Sequence, residues 1–123
     1  MTKVKKLIIV EDDAILLKAL NVEMLGSGFE VFSAINGEAG LDLIKKEKPD
    51  LILLDLVMPK MDGFAVLEIL KKDKRLSKIP VIVLSNLSQK ADVEKAKKLG
   101  AVGFYEKATT DLSKLVEKIN ELS

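Results

Sequence analysis

Residues 49–63 read Pro49-Asp50-Leu51-Ile52-Leu53-Leu54-Asp55-Leu56-Val57-Met58-Pro59-Lys60-Met61-Asp62-Gly63. At the centre of this stretch four aliphatic side chains, Leu51 to Leu54, stand between a Pro-Asp pair and a carboxylate. A run this short and this uniformly apolar reads as a strand buried on both faces. Runs of the same kind recur at Leu7 to Val10, around Val31 and Phe32, at Val81 to Leu84 and at Val102 to Tyr105. Between them the apolar residues fall three or four apart, as on one stripe of a helix. Leu17, Leu20, Met24 and Leu25 mark residues 14–25; Ala39, Leu43 and Ile44 mark 37–47; Val66, Leu67 and Leu70 mark 64–72. Val93, Ala96 and Leu99 mark 89–99, and Leu112, Leu115, Val116, Ile119 and Leu122 mark 111–122. Gly26 and Gly28, Lys48-Pro49 and Gly100 supply helix stops. Asn36, Asp62, Ser88 and Thr110 supply candidate N-caps. Strand and helix thus alternate five times. Such units pair their strands in parallel, and right-handed crossovers put helices on both faces. The prediction is one α/β domain over residues 1–123, a doubly wound five-stranded parallel sheet with five helices.

The 123 residues suffice for one domain with a real core. Lys and Arg number 20 against 19 Asp and Glu, and a net charge of +1 gives no electrostatic case for direct nucleic-acid binding. Cys is absent, which excludes disulfides and thiolate metal sites. His is absent too, which excludes Ser-His and Cys-His nucleophile pairs, His zinc sites and a phosphohistidine carried by this chain. The apolar runs are too short for membrane insertion. The start, Met1 to Lys6, leads into only a short apolar run and does not read as a signal peptide. A cytoplasmic, reducing location is the expectation.

In an open parallel sheet, ligands bind beyond the carboxyl ends of the strands, where strand order reverses. Glu11, Asp12 and Asp13 follow the first run, Asp55 the third, Ser85 the fourth, and Glu106 and Lys107 the fifth. The second strand ends in Ser33-Ala34-Ile35, which offers much less; an edge position in the order 2-1-3-4-5 accounts for that. Converging carboxylates raise one another's pKa unless a cation intervenes. A hard divalent ion with oxygen ligands, Mg²⁺ or Mn²⁺, answers that need and leaves room for a phosphate oxygen. A metal, a lysine and a hydroxyl around one carboxylate are the parts that stabilise a transferring phosphoryl group. The carboxylate itself can be the nucleophile. Taken singly, each residue has a plainer reading. Asp12 and Asp13 can cap the next helix, Lys107 can be a surface lysine, and Ser85 a loop hydroxyl. Their shared position at strand ends is what joins them. The paired lysines at residues 45–48, 71–72 and 97–98 fall at helix C-termini, where the helix dipole favours them, and leave the opposite rim acidic.

These stretches resemble the receiver domain of two-component response regulators, over essentially the whole chain. The residues that carry the resemblance are Leu7 to Asp13, Pro49 to Gly63, Ile79 to Ser85 and Gly100 to Lys107. The resemblance implies a flavodoxin-like fold with Asp55 as phosphoacceptor. It implies Mg²⁺ held by Asp12 directly, Glu11 mostly through water, Asp55, and the backbone carbonyl of Val57. Ser85 corresponds to the switch hydroxyl, Lys107 to the lysine that pairs with a phosphoryl oxygen, and Phe104 to the switch aromatic. Gly63 corresponds to the turn glycine that opens the third helix. The implied partners are a sensor histidine kinase or a phosphotransfer protein, and an output partner of unknown identity. The protein would assist its own phosphorylation and dephosphorylation without being a turnover enzyme. The surface of the fourth helix, fifth strand and fifth helix would carry the readout, with Asp92, Lys95, Tyr105 and Glu106 on it.

Two residues depart from the family pattern. Ala108 stands where a proline in a cis peptide usually follows the lysine, and a cis non-proline bond costs about 2.5–4 kcal/mol. A trans bond, with the lysine differently aimed, is therefore an expectation. Asn86 stands where a small residue usually opens the site to phosphodonors. Together they motivate an alternative, an interaction module independent of phosphorylation. A flavin carrier on the same fold would need a Ser/Thr/Gly phosphate loop where Glu11-Asp12-Asp13 stands. An aspartyl phosphatase would need a second Asp where Val57 stands.

Overall fold

A computed structural model describes residues 5–87 and 89–122. The chain runs β1 (Lys6–Val10), α1 (Ala14–Gly26), β2 (Glu30–Ala34), α2 (Gly37–Glu47) and β3 (Leu51–Leu54). It continues through α3 (Gly63–Lys72), a 3₁₀ turn at Leu76–Lys78, β4 (Val81–Ser85), α4 (Lys90–Lys98), β5 (Gly103–Glu106) and α5 (Leu112–Leu122). The five strands are parallel in the order β2-β1-β3-β4-β5, as predicted. Strand order therefore reverses between β1 and β3, and that is where a ligand crevice forms.

Every residue of β3 is buried, because the central strand has helices on both sides. The alternation of side chains along each strand splits the core in two. Ile8, Val10, Ile52, Leu54, Val81 and Val83 pack with Leu41 and Ile44 of α2, Val66, Leu67 and Leu70 of α3, and Ala96 of α4. Leu7, Ile9, Leu51, Leu53, Ile82 and Leu84 pack with Leu20 and Met24 of α1 and Leu115 and Ile119 of α5. Burying a side chain such as Leu54 is worth roughly 1.5–3 kcal/mol, so this double layer holds the strand ends rigidly in register.

Helix boundaries follow local chemistry. Asn36 caps α2 through Ala39 N–H at 2.8 Å, and Asp62 caps α3 through Ala65 N–H at 2.9 Å, both as expected. Ser88 lies outside the described residues, and α4 begins after Gln89 with no side-chain cap. Thr110 is not the cap of α5. Its hydroxyl donates to the Glu106 carbonyl, 2.6 Å away, while Asp111 accepts from Ser113 N–H at 2.9 Å. A carboxylate one residue nearer the helix takes the free amide. On α1, Leu20 and Met24 are buried but Leu25 is 58% exposed. One residue past Met24 is a 100° rotation, which turns Leu25 away from the sheet.

Candidate functional site

The ladder hydrogen bonds run past the strand ends and set the site. Glu11 N–H donates to the Ala34 carbonyl at 3.0 Å, and Asp55 N–H to the Val10 carbonyl at 3.0 Å. Lys107 N–H donates to the Ser85 carbonyl at 3.0 Å. Each functional residue is thus the continuation of a strand, carried by the sheet's rigidity. Gly63 presses against the back of this arrangement. Its N–H donates to the Leu56 carbonyl at 2.9 Å, and an added Cβ would overlap the Asp55 carbonyl oxygen. Close approach, not a special φ, is what demands glycine there.

Glu11 and Asp55 are almost fully buried, at 2% and 3% exposure, while Asp12 is exposed. One oxygen from each of these three carboxylates lies within 4.8 Å of the others. Lys107 bridges the buried pair. Its Nζ stands 2.8 Å from Glu11 Oε1 and 2.9 Å from Asp55 Oδ2. With all four groups ionised, three negative charges and one positive leave a net charge of −2. Burial pushes the Glu11 carboxyl up to about 7, against the pull of Lys107 and the Asp13 amide, and the Asp55 charge adds to the rise. Burial also opposes the Lys107 charge, but its hydrogen bonds to Glu11 and Asp55 outweigh that and hold the ammonium above its usual value.

The remaining residues have definite places. The Lys107–Ala108 bond is trans, and yet Lys107 reaches the site, so the expected trans bond does not turn the lysine away. Val57 N–H donates to Asp55 Oδ1 at 3.3 Å and orients that carboxylate. Ser85 is completely buried, and its Oγ accepts from Leu87 N–H at 3.3 Å instead of bonding a carboxylate. Phe104 is half-buried against the α2–α3–α4 side of the core. Asp13 caps α1, accepting from Ile15 N–H and Leu16 N–H, and donates its own N–H to Glu11 Oε2 at 3.0 Å. That bears out the plainer helix-capping reading for Asp13.

Sequence reasoning missed the apolar rim. Ile15, Ile35 and Val57 follow the ends of β1, β2 and β3 and are 85%, 62% and 54% exposed. Ile15 and Val22 stand off the buried stripe of α1, which is the signal that could have found this exposed face.

A divalent cation fits the donors present. Three carboxylate oxygens within one small ion's reach, carrying unbalanced negative charge, are the hard ligands such an ion takes.

Residues 7–120 match the family model of the response regulator receiver domain. Over 117 residues the chain is 39% identical to ycf29 of Pyropia yezoensis, named a probable transcriptional regulator, covering 95% of this chain and 52% of that protein. The chain spans about half the length of the curated relatives it matches. Among solved structures, the signal receiver domain of a signal transduction histidine kinase from Syntrophus aciditrophicus superposes with a TM-score of 0.87 at 31% identity, over 96% of this chain and 89% of that one. The phosphorylated cyanobacterial phytochrome response regulator RcpA superposes with a TM-score of 0.84 at 29% identity, over 98% and 91%. With the sheet order and the acidic crevice already in place, these matches make the chain a member of the response regulator receiver domain family.

Proposed function

We propose that Asp55 is the phosphoacceptor of a histidine-to-aspartate phosphorelay, and that its phosphorylation switches the α4–β5–α5 surface. The supporting observation is the Lys107 ammonium, 2.9 Å from the carboxylate at the end of the central strand. In this reading an Asp55 oxygen attacks phosphorus in line. The new O–P bond forms as the N–P bond to the donor imidazole breaks, and the electron pair leaves with that nitrogen. Lys107 moves its charge from the Asp55 carboxylate to an equatorial phosphoryl oxygen. Val57 N–H keeps the carboxylate aimed outward. Glu11, Asp12, Asp55 and the Val57 carbonyl would hold Mg²⁺ or Mn²⁺, which supplies charge neutralisation to the transferring group when bound.

The same groups carry the switch. A phosphoryl dianion on Asp55 accepts from the Ser85 O–H, and the rotation that aims this hydroxyl at it carries Oγ away from Leu87 N–H. Ser85 then turns to the phosphoryl oxygen, the β4–α4 loop loses a tie, and Phe104 closes inward behind it. Two arrangements of this loop exist in equilibrium, and phosphorylation favours one. Little packing opposes the change, since Ala96 is the one buried residue of α4 among those described. The exposed Ile15, Ile35 and Val57, which follow the ends of β1, β2 and β3, suit a kinase or phosphotransfer protein with apolar surface around its phosphohistidine. A cytoplasmic location goes with that partnership. Water attack on the acyl phosphate ends the signal, with Val57 and Asn86 flanking its path.

Intact mass after incubation with acetyl phosphate and Mg²⁺ tests the assignment. One phosphoryl group is expected on the wild type and none on Asp55→Asn or with chelator present. An unmodified wild type, also with a cognate kinase, would reject it and favour a phosphorylation-independent interaction module.

A further inference from the structure

The loop that follows Asp55 is closed at its base and propped at its tip. The base is the Gly63 N–H to Leu56 carbonyl hydrogen bond at 2.9 Å, with Leu56 buried beneath it. At the tip, Lys60 has φ +69°, and Met61 N–H donates to the Pro59 carbonyl at 2.8 Å. That is a γ-turn of the rare positive-φ kind, which a residue with a side chain occupies at a cost. Such a turn persists only where its surroundings hold it. The turn sends the Met61 carbonyl onto Gly37, the first residue of α2, which is buried and has no counterpart in the acidic pocket. A Cβ at Gly37 would overlap that carbonyl oxygen and stand 2.7 Å from its carbon. Both partners are backbone, so neither can rotate away.

Resting on the phosphoacceptor reading above, we infer that Gly37 is a positioning residue for the metal and phosphoacceptor site, acting through the Met61 carbonyl. The path is short. Gly37 sets how far the tip of the loop lies from α2. The tip is four residues from Val57, whose N–H orients Asp55 Oδ1 at 3.3 Å and whose carbonyl is, in the reading above, a ligand of the proposed cation. Pushing Met61 outward draws Val57 with it, because Leu56 and Gly63 are tied at the base. Gly40, one turn further along α2, provides the control. The nearest atoms a Cβ there would meet belong to the Val10 side chain, at 2.7 and 2.8 Å from its two methyl groups. Gly40→Ala therefore strains the same helix against Val10 of the core, where Gly37→Ala strains it against the Met61 carbonyl.

Mg²⁺ binding, followed by calorimetry beside thermal melts in chelator, separates the two. Gly37→Ala should weaken Mg²⁺ binding by roughly tenfold or more, the loss typical of groups that orient ligands. Gly40→Ala should lower the melting temperature while leaving Mg²⁺ affinity within about twofold of wild type, a change of less than half a kcal/mol. If Gly37→Ala does not fold, the double variant Gly37→Ala, Lys60→Gly relaxes the turn and accommodates the methyl group. It should fold and still bind Mg²⁺ weakly, because the prop is gone. Wild-type affinity in either Gly37 variant overturns the inference, as does an equal loss in Gly40→Ala. A wild type that binds no Mg²⁺ overturns the cation reading itself, and the role of Gly37 falls with it.

Discussion

Metal-free protein should lose stability as pH rises from 5 to 8, and Glu11 should be the cause. Its carboxyl sits at about 7 in the folded chain against an ordinary value of 4.5. A raised carboxyl pKa means that the native state holds this proton more tightly than the unfolded state does. The resulting stability is fully present below 4.5 and is lost as pH climbs through about 7. At about 1.4 kcal/mol per pKa unit, the loss between pH 5 and pH 8 comes to roughly 2.5 kcal/mol at most, and about 2 after allowance for local relaxation. For a domain of this size that is a fall of roughly 6–10 °C in melting temperature. No His contributes within this window, because the chain has none. Asp73 and Asp111, whose carboxyls are lowered by hydrogen bonds from neighbouring N–H and O–H groups, lose their contributions only below this range.

Thermal melts in chelator across this range, on wild type and Glu11→Gln, provide the assay. A neutral amide leaves Lys107 balanced by Asp55 alone, as the protonated acid does, so the Gln variant should be flat with pH. It should also exceed wild type in stability at pH 8. A flat wild-type profile, or an equal fall in the variant, would refute the assignment of the buried charge to Glu11. Mg²⁺ must reverse the trend, since it binds the ionised form. Its stabilising effect should grow from pH 6 to pH 8, with affinity falling up to about tenfold per unit below pH 7.

Lys107→Ala should destabilise the metal-free protein by about 3 kcal/mol at pH 8 in urea titrations, the cost of stranding buried partners, and by clearly less at pH 5. Asp13→Ala should cost about 1 kcal/mol as a lost N-cap and leave Mg²⁺ affinity within a few-fold, whereas Asp12→Asn should leave stability unchanged and weaken Mg²⁺ binding at least tenfold; calorimetry and melts on the pair check both. Lys48 ends α2 with φ 47° and ψ 68°, so Lys48→Gly should raise stability by about 1 kcal/mol in urea titrations.

The fold was legible because each strand is a short aliphatic run and each helix a stripe, and because Asn36 and Asp62 cap unambiguously. The errors have local causes. Thr110 and Asp111 are both good caps, and only the position of the helix's first free amide chooses between them. Leu25 belongs to an α1 that is apolar on its outer side as well, so spacing alone could not say which leucines face the sheet. At the site, strand ends announced Glu11, Asp55, Ser85 and Lys107 as neighbours. What spacing could not announce is that Lys107 spans two carboxylates across a trans peptide, or that Glu11 is buried as deeply as Asp55. The first depends on how far the β5–α5 turn folds back, and that turn is set by Glu106 accepting from Thr109 and Thr110 N–H. The prop at Gly37 was invisible for a similar reason, since it joins two backbones 24 residues apart.

The charge count also orders events at the proposed site. Lys107 alone leaves the pocket at −2 when every carboxylate is ionised, and a phosphodonor group arrives with close to two negative charges of its own. At 5 Å and an effective dielectric constant near 20, each pair of unit charges repels by about 3 kcal/mol. Four such pairs would add about 13 kcal/mol to the approach, with the charge of Lys107 already counted in the −2. A divalent cation brings the pocket to neutrality and frees Lys107 to follow the phosphoryl oxygen. Cation binding must therefore precede productive donor binding, and raising donor concentration cannot replace it. Burial, with the Asp55 charge adding to it, raises the Glu11 pKa, Lys107 is shared between two carboxylates, and a divalent cation would offset the negative charge that remains.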